Sequence, residues 1–471
     1  WLKTRSKVLL SSRMLHVCII LLISVASSAG PDQQTNSALT TSPTATACSN
    51  FGGEWISVNG EYIGILEKNC TVTATNPSES WSPQHGFVVG DALHMFDIIG
   101  IINGSFIHWN DPPRTVWQRM TVPPLSVGLA QVRSMLQTAI MTEQSVIQPY
   151  MSALYSIHPG TNKNATSVLH GVAIEEMLHM TSAANILNAI GGHPSMNTKS
   201  FVPVYPMMLP YVNISVSLTP FTKEQASLFR LIEEATWGPD NHYRIRTVGV
   251  FYFEMGLVLD ALVKKYGEAS VFSGDPALQV NTTSSRGKVQ GVYSHADAKR
   301  LLTGILGEGE GVKGSLFDTS PFNGRQDGLS HYYRFNEIVH DRCYETSDNA
   351  SHLNDPTGDS MGMNWSAVYN FAPNPRASDY SAHPEIQRKM LEFNSCYTQL
   401  LAGLHSVFNG SPASFMGQIN LMYTLSSLAK DLMATPAPGN PGMMVGVPWE
   451  WVDVNDISTP PCPMLQTNIV L

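Results

Sequence analysis

The chain has 471 residues, a formal charge of −9 and 43% hydrophobic content. That length exceeds a single compact core and implies two or three domains. No long Lys/Arg run is present, which excludes nucleic acid as a partner because phosphate binding needs clustered basic charge.

Residues 1–30 read as a signal-peptide region. The chain opens on Trp1, so Met14 is taken as the start, followed by an apolar run over 16–26 and small residues over 27–30 of the kind a cleavage site prefers. The run is shorter than the ~20 apolar residues of a spanning helix, so secretion to the extracellular space is expected, with no transmembrane helix elsewhere. Asn-x-Ser/Thr acceptors for N-linked glycans begin at Asn69, Asn103, Asn164, Asn213, Asn281, Asn349, Asn364 and Asn409, whereas Pro77 excludes Asn76. Of six cysteines, Cys18 would leave with the signal peptide. Cys48 and Cys70, the nearest remaining pair, form the preferred disulfide in an oxidising compartment. Among Cys343, Cys396 and Cys462, at least one is free or joined to another chain.

Residues 31–47, rich in Ser, Thr, Ala and Pro, read as a flexible leader. From 48 to 122 a small β-rich domain is expected. Six short β-branched and aromatic runs begin at Glu54, Tyr62, Cys70, Gly86, Ser105 and Thr115, separated by Gly and Asn, which predicts an antiparallel meander or small barrel. Trp55, Trp81, Trp109 and Trp117 either line a carbohydrate or apolar-ligand site or fill the core; the area each ring buries favours the core.

After Pro123-Pro124 the period becomes helical, and residues 125–436 are read as one helical domain followed by a tail over 437–471. A first helix is predicted over 127–157, bent by Pro149, and a second over 165–190, stopped by Gly191-Gly192 with Pro194 beyond. Residues 200–220 should be extended, with Thr222-x-x-Gln225 opening a short helix. Further helices are expected near 244–266, 329–342, 384–408 and 413–434, while the Gly/Ser-rich stretch 268–326 reads mostly as loop.

On the second helix, Glu176 and His179 stand three residues apart among apolar neighbours and so share a face. Burying them is costly unless they are paired or bound to a cation, and Glu-x-x-His is the spacing by which bundle helices hold iron or manganese. Glu143, flanked by Ile140, Val146 and Ile147, is the matching acid of the first helix. A second Glu-x-x-His, Glu337 to His340, lies six residues past His331, about 240° round a helix, so His331 and Glu337 cannot face one ion together.

The segment from Leu136 through Glu143, Pro149, Glu175-Glu176 and His179 to Pro194 resembles the ferritin-like domain of the iminophenyl-pyruvate dimer synthase family. Later blocks agree in order: Ile305-Leu-Gly-Glu308-Gly-Glu310-Gly311, Ser330-His331-Tyr332-Tyr333-Arg334, Pro373-Asn374-Pro375-Arg376 and Leu432-Met433-Ala434. The resemblance implies a ferritin-like antiparallel helical bundle, which together with the small antiparallel β-domain read before it makes a multidomain α+β chain. It implies metal ligation by Glu143, Glu176, His179 and His331, one or two iron ions, and oxidative coupling of amino-acid-derived imines.

The chain departs from the pattern where Val250 and Gly328 stand at positions expected to be acidic. Glu254, one turn past Val250, is the candidate substitute, and a surface Glu is the alternative; Asp327 reads as a helix cap. Asn185 and Tyr332 are read as satisfying core hydrogen bonds. Three outcomes follow for the centre: one ion held by Glu143, Glu176, His179 and His331, two ions with Glu254 added, or a bundle without metal. The missing acids favour a secreted glycoprotein with a scaffold or metal-binding role, forming a homo-oligomer or an extracellular assembly. The alternative is a metal-dependent oxidoreductase of the synthase type.

Overall fold

The computed structural model describes residues 48–57, 62–75, 83–95, 98–103, 106–109, 116–119, 122–210, 212, 214–234, 247–284, 287–309, 316, 328–348 and 355–463. The signal-peptide region, the leader, Trp81, Asn213, Asp327, Asn349 and the last residues of the tail lie outside these.

Eight antiparallel strands form a closed barrel in which each pairs with its neighbours in sequence: β1 (Gly53–Ser57), β2 (Tyr62–Lys68), β3 (Thr71–Thr75), β4 (Gln84–Val89), β5 (Ala92–Met95), β6 (Ile98–Asn103), β7 (Phe106–Trp109) and β8 (Val116–Arg119). The register closes with Trp55 opposite Arg119. Alternation along β3, where Val72 and Ala74 are buried between exposed Thr71 and Thr75, shows how period-2 patterning sends one face inward. Strands β5 and β6 add to the six expected from sequence. Their apolar run was hidden by the short turn at Gly90-Asp91 and by Gly100, which is needed because a Cβ there would lie 2.6 Å from Ile107. Trp55 and Trp109 are buried in the barrel core with Phe51, Ile63 and Leu93, so these two rings fill the interior.

The helical part has its own core. Its long helices are α1 (Leu125–Ser156), α2 (Lys163–Ala189), α3 (Lys223–Ile232), α4 (Val248–Tyr266), α5 (His295–Gly309), α6 (His331–His340), α7 (Pro384–Phe408) and α8 (Phe415–Ala434). Helix α1 packs along α2, α4 along both α1 and α5, and α6 against α2, α3 and α5, while α7 pairs with α8.

Pro149 lies inside α1. It offers no N–H to the Ser145 carbonyl one turn back, and the Tyr205 hydroxyl donates to that carbonyl instead at 2.8 Å. Helix α2 ends in a left-handed Gly191 (φ 71°), with Gly191 N–H on Asn188 O and Gly192 N–H on Leu187 O. This is the paired Schellman closure that glycine permits. Thr222 caps α3 by accepting from Gln225 N–H.

Helix α5 corrects the expectation of loop over 268–326. Ser294 and Asp297 cap it reciprocally, and Ala298, Leu301, Leu302 and Ile305 form its buried stripe. The glycines and serines around it masked that period.

Disulfides join Cys48 to Cys70 and Cys396 to Cys462, and Cys343 is free. The second bridge ties the C-terminal tail to α7, where Trp449 packs edge-on against Phe393 and Tyr397.

Candidate metal centre

Six helical segments deliver side chains to one buried point. Helix α1 presents Glu143, α2 presents Glu175, Glu176 and His179, the C-cap of α3 is Glu233, α4 presents Tyr252, α5 presents Glu308, and α6 presents His331 and Arg334. Glu143, Glu176, His179, Glu308 and His331 are all buried. The adjacent polar run of α1, Thr142 to Ser145 with Gln148, is buried as well. Helix α1 therefore carries a polar stripe through the core, which an amphipathic surface helix would not do.

His179 bridges two carboxylates, with Nδ1 3.0 Å from Glu176 Oε2 and Nε2 2.7 Å from Glu308 Oε2. His331 Nε2 lies 2.8 Å from Glu175 Oε2, and the Arg334 guanidinium donates to the same oxygen at 2.7 Å. His331 Nδ1 is 2.9 Å from Glu176 Oε1 and 3.6 Å from Glu233 Oε2. It makes no hydrogen bond of good geometry among the described residues, and neither does Glu308 Oε1. The Tyr150 and Tyr252 hydroxyls donate to Glu233 Oε1 and Glu143 Oε1. The two imidazole rings lie 5.6 Å apart.

Five carboxyl groups (Glu143, Glu175, Glu176, Glu233 and Glu308) thus meet at most three cationic groups (His179, His331 and Arg334). Burying unbalanced charge costs several kcal/mol per ion, so at least two carboxyls keep a proton or a cation joins them. Burial, reinforced by the Glu176 charge, pushes the carboxyls of Glu143 and Glu233 upward. Burial also opposes ionisation of Glu176, yet His331 and His179 hold it well below the usual carboxylate range. Against the cost of burial, Glu176 and the other facing acids raise both imidazoles.

These residues fit divalent metal. Glu143, Glu176 and His179 offer ligand atoms within 4.8 Å of one another, as do Glu176, Glu233 and His331, with Glu176 common to both sets. Carboxylate and imidazole donors suit iron and manganese. The unbonded Nδ1 of His331, opposite an Nε2 held by Glu175, is the arrangement by which a carboxylate sets the tautomer of a ligating histidine. A cavity of about 30 Å³ opens beside the cluster, lined by the polar groups of Glu143, Glu176, His179, Glu233 and Tyr252 and by the apolar Val146, Ile232, Val248 and Ile305.

The structure brings Glu143, Glu176, His179 and His331 together and leaves Glu254 out. Glu254 is half-buried on α4 and belongs to neither ligand set. Two residues are about 200° of helix, so the turn that aims Tyr252 at Glu143 carries Glu254 away. Glu337 accepts the Tyr344 N–H at 2.7 Å, and burial raises its carboxyl to about 7. Its partner in sequence, His340, is exposed, so that pair is no core site. Asn185 bonds the backbone of Val280 and Gln290. Sequence reasoning missed Glu233, which belongs to the second ligand set, and Glu308, which holds His179. Glu308 sat in a block of the family resemblance, but Glu233 ends a helix with no motif around it.

Residues 136–340 match the family model described as ferritin-like. A ferritin-like protein from Caulobacter vibrioides is similar over 64% of this chain and 94% of its own, with 20% identity and a TM-score of 0.41. No curated protein matches the chain. Residues 136–340 form a ferritin-like domain, in an α+β chain where an antiparallel β-barrel precedes it.

Proposed function

We propose that the ferritin-like domain binds two divalent ions of the iron or manganese class with Glu176 shared between them, and that the chain is an extracellular metal-binding protein whose centre supports oxidative chemistry. The observation that carries this is the pair of ligand sets meeting at Glu176, in a core with more buried carboxyls than cations. When bound, such ions supply reaction with dioxygen and one-electron chemistry. The chain's own residues do the rest. Glu175 and Arg334 orient His331, Glu308 holds His179, and the surrounding apolar helices keep bulk water from the carboxylates.

A second reading, oxidative coupling of amino-acid-derived imines as in the iminophenyl-pyruvate dimer synthase family, rests on the sequence blocks. The cavity favours something smaller, since about 30 Å³ accommodates a water-sized ligand. Extracellular placement is supported by two disulfides, which persist in oxidising compartments. Exposed acceptors at Asn69 and Asn364 support glycosylation, whereas Asn164, Asn281 and Asn409 spend their amides on Met361 O, on the Tyr293 hydroxyl, and on Pro194 O and His405 O.

Elemental analysis of protein purified without a metal-affinity tag, followed by Fe(II) and Mn(II) titration, tests the reading. Two ions per chain, lost in Glu176→Ala, are expected. A wild type that takes up neither ion and melts identically in chelator and in Fe(II) would reject it. Oxygen consumption by the Fe(II)-loaded protein without added substrate then separates redox chemistry from a metal-holding scaffold.

A further inference from the structure

Two phenols sit against carboxylates of the cluster. Tyr150 and Tyr252 are fully buried, and each spends its hydroxyl on one carboxylate oxygen: Tyr150 on Glu233 Oε1 and Tyr252 on Glu143 Oε1. The other oxygen of Glu233, Oε2, is the one that faces His331 Nδ1 at 3.6 Å. It also borders Gly309, where an added Cβ would lie 3.6 Å away. Tyr252, Glu143, Glu233 and Gly309 all line the same cavity.

We propose that Tyr252 and Tyr150 are positioning residues that restrict Glu143 and Glu233 to one ligating oxygen each, leaving a coordination position open towards the cavity for a water-sized anion or neutral ligand. This rests on the two-ion reading above. A carboxylate oxygen that already accepts a hydrogen bond from a buried phenol is the weaker donor to a cation, because one of its lone pairs is engaged and its charge is shared with the phenol proton, so the free oxygen of each acid ligates in preference. Held by the remaining oxygen of each acid, a bound ion would have a position left for a further ligand. Gly309 leaves room for a ligand there. The bundle thereby sets coordination number through residues that do not touch the ion.

The test uses Co(II) as the loaded ion and azide as the probe, on the full chain. Wild type should take two Co(II) per chain, show the strong visible bands of low coordination number, and change them when azide is added. Tyr252→Phe should keep two Co(II), lose band intensity as Glu143 chelates, and bind azide about tenfold or more weakly, in the range by which outer-shell partners act. Tyr150→Phe tests the same statement independently at Glu233. Tyr397→Phe is the control for losing a buried hydroxyl, since that phenol bonds Gln144 and Gln148 rather than an acid; it should leave the bands and azide affinity as in wild type. Unchanged bands and azide affinity in both Tyr252→Phe and Tyr150→Phe would overturn the inference. A wild type that takes up no Co(II) would instead remove the two-ion reading, and this one with it.

Discussion

At the residue scale the centre makes opposite demands on pH with and without metal. In metal-free protein, Glu143 and Glu233 are raised, so the folded state keeps protons that the unfolded chain loses near pH ~4.3. Stability then falls as pH rises from there towards the folded values. His179 and His331 are raised too, and their contribution, full below about pH 6.5, is also lost as pH rises through the folded values. Glu175 and Glu176 are lowered, so their contribution is present above the ordinary carboxylate range and lost only on acidification below it. Chelated protein should therefore have its highest melting temperature near pH ~5 and a falling one towards pH ~8. Metal-loaded protein should not fall over that interval, because metal displaces those protons and binds better as they leave. A chelated sample whose melting temperature climbs from pH 5 to 8 would contradict the assignment of protons. His179→Ala strips Glu176 and Glu308 of their shared partner and should cost about 3–5 kcal/mol in chelator, with metal content reduced. A loss below about 1 kcal/mol in urea titration would show those acids to be satisfied otherwise.

At the element scale, α1 is a helix with a missing link supplied from outside. The Ser145 carbonyl is orphaned by Pro149 and recovered by Tyr205, whose hydroxyl also reaches Gln148 Oε1. Tyr205→Phe should destabilise by about 1–3 kcal/mol, the usual cost of unpaired buried polar groups. Pro149→Ala in the same background should return part of that loss, since it restores an N–H in line with Ser145. A double-mutant cycle by denaturant unfolding measures the coupling, and strict additivity would show that the two residues do not share the carbonyl. Helix α5 shows why an element can be hidden. Its cap, Ser294 with Asp297, and its apolar spacing were present in the sequence, yet the glycines and serines on either side outweighed them in any window wide enough to read a period.

On the scale of the whole molecule, barrel and bundle have separate cores, and each carries its own disulfide. Closing the 22-residue separation of Cys48–Cys70 should contribute roughly 3 kcal/mol, and the 66-residue separation of Cys396–Cys462 roughly 4 kcal/mol, in the chain-entropy account. Cys70→Ser should lower the unfolding transition of the barrel and leave metal content unchanged. Cys396→Ser should lower that of the bundle, where the tail and Trp449 brace α1 and α7. Calorimetry of the two variants checks this, and identical thermograms for both would mean that the cores unfold as one.

The sequence by itself determined the change from β to helical period after Pro123-Pro124, the helix stop at Gly191-Gly192 and the shared face of Glu176 and His179. Each of these depends on spacing within a single element, which backbone geometry makes local. The barrel closure and the completion of the cluster were decided only by tertiary structure. Trp55 pairs with Arg119 where the last strand closes on the first because every strand between them has the right length and twist, a property no single run displays. Glu233 and Glu308 meet His331 and His179 from helix ends far away in the chain, and a Glu at a helix terminus looks the same in sequence whether it faces solvent or a buried cation site. Only the packing of α3 and α5 against α2 and α6 distinguishes the two, because burial, which makes such an acid costly and therefore informative, is a property of the assembled core.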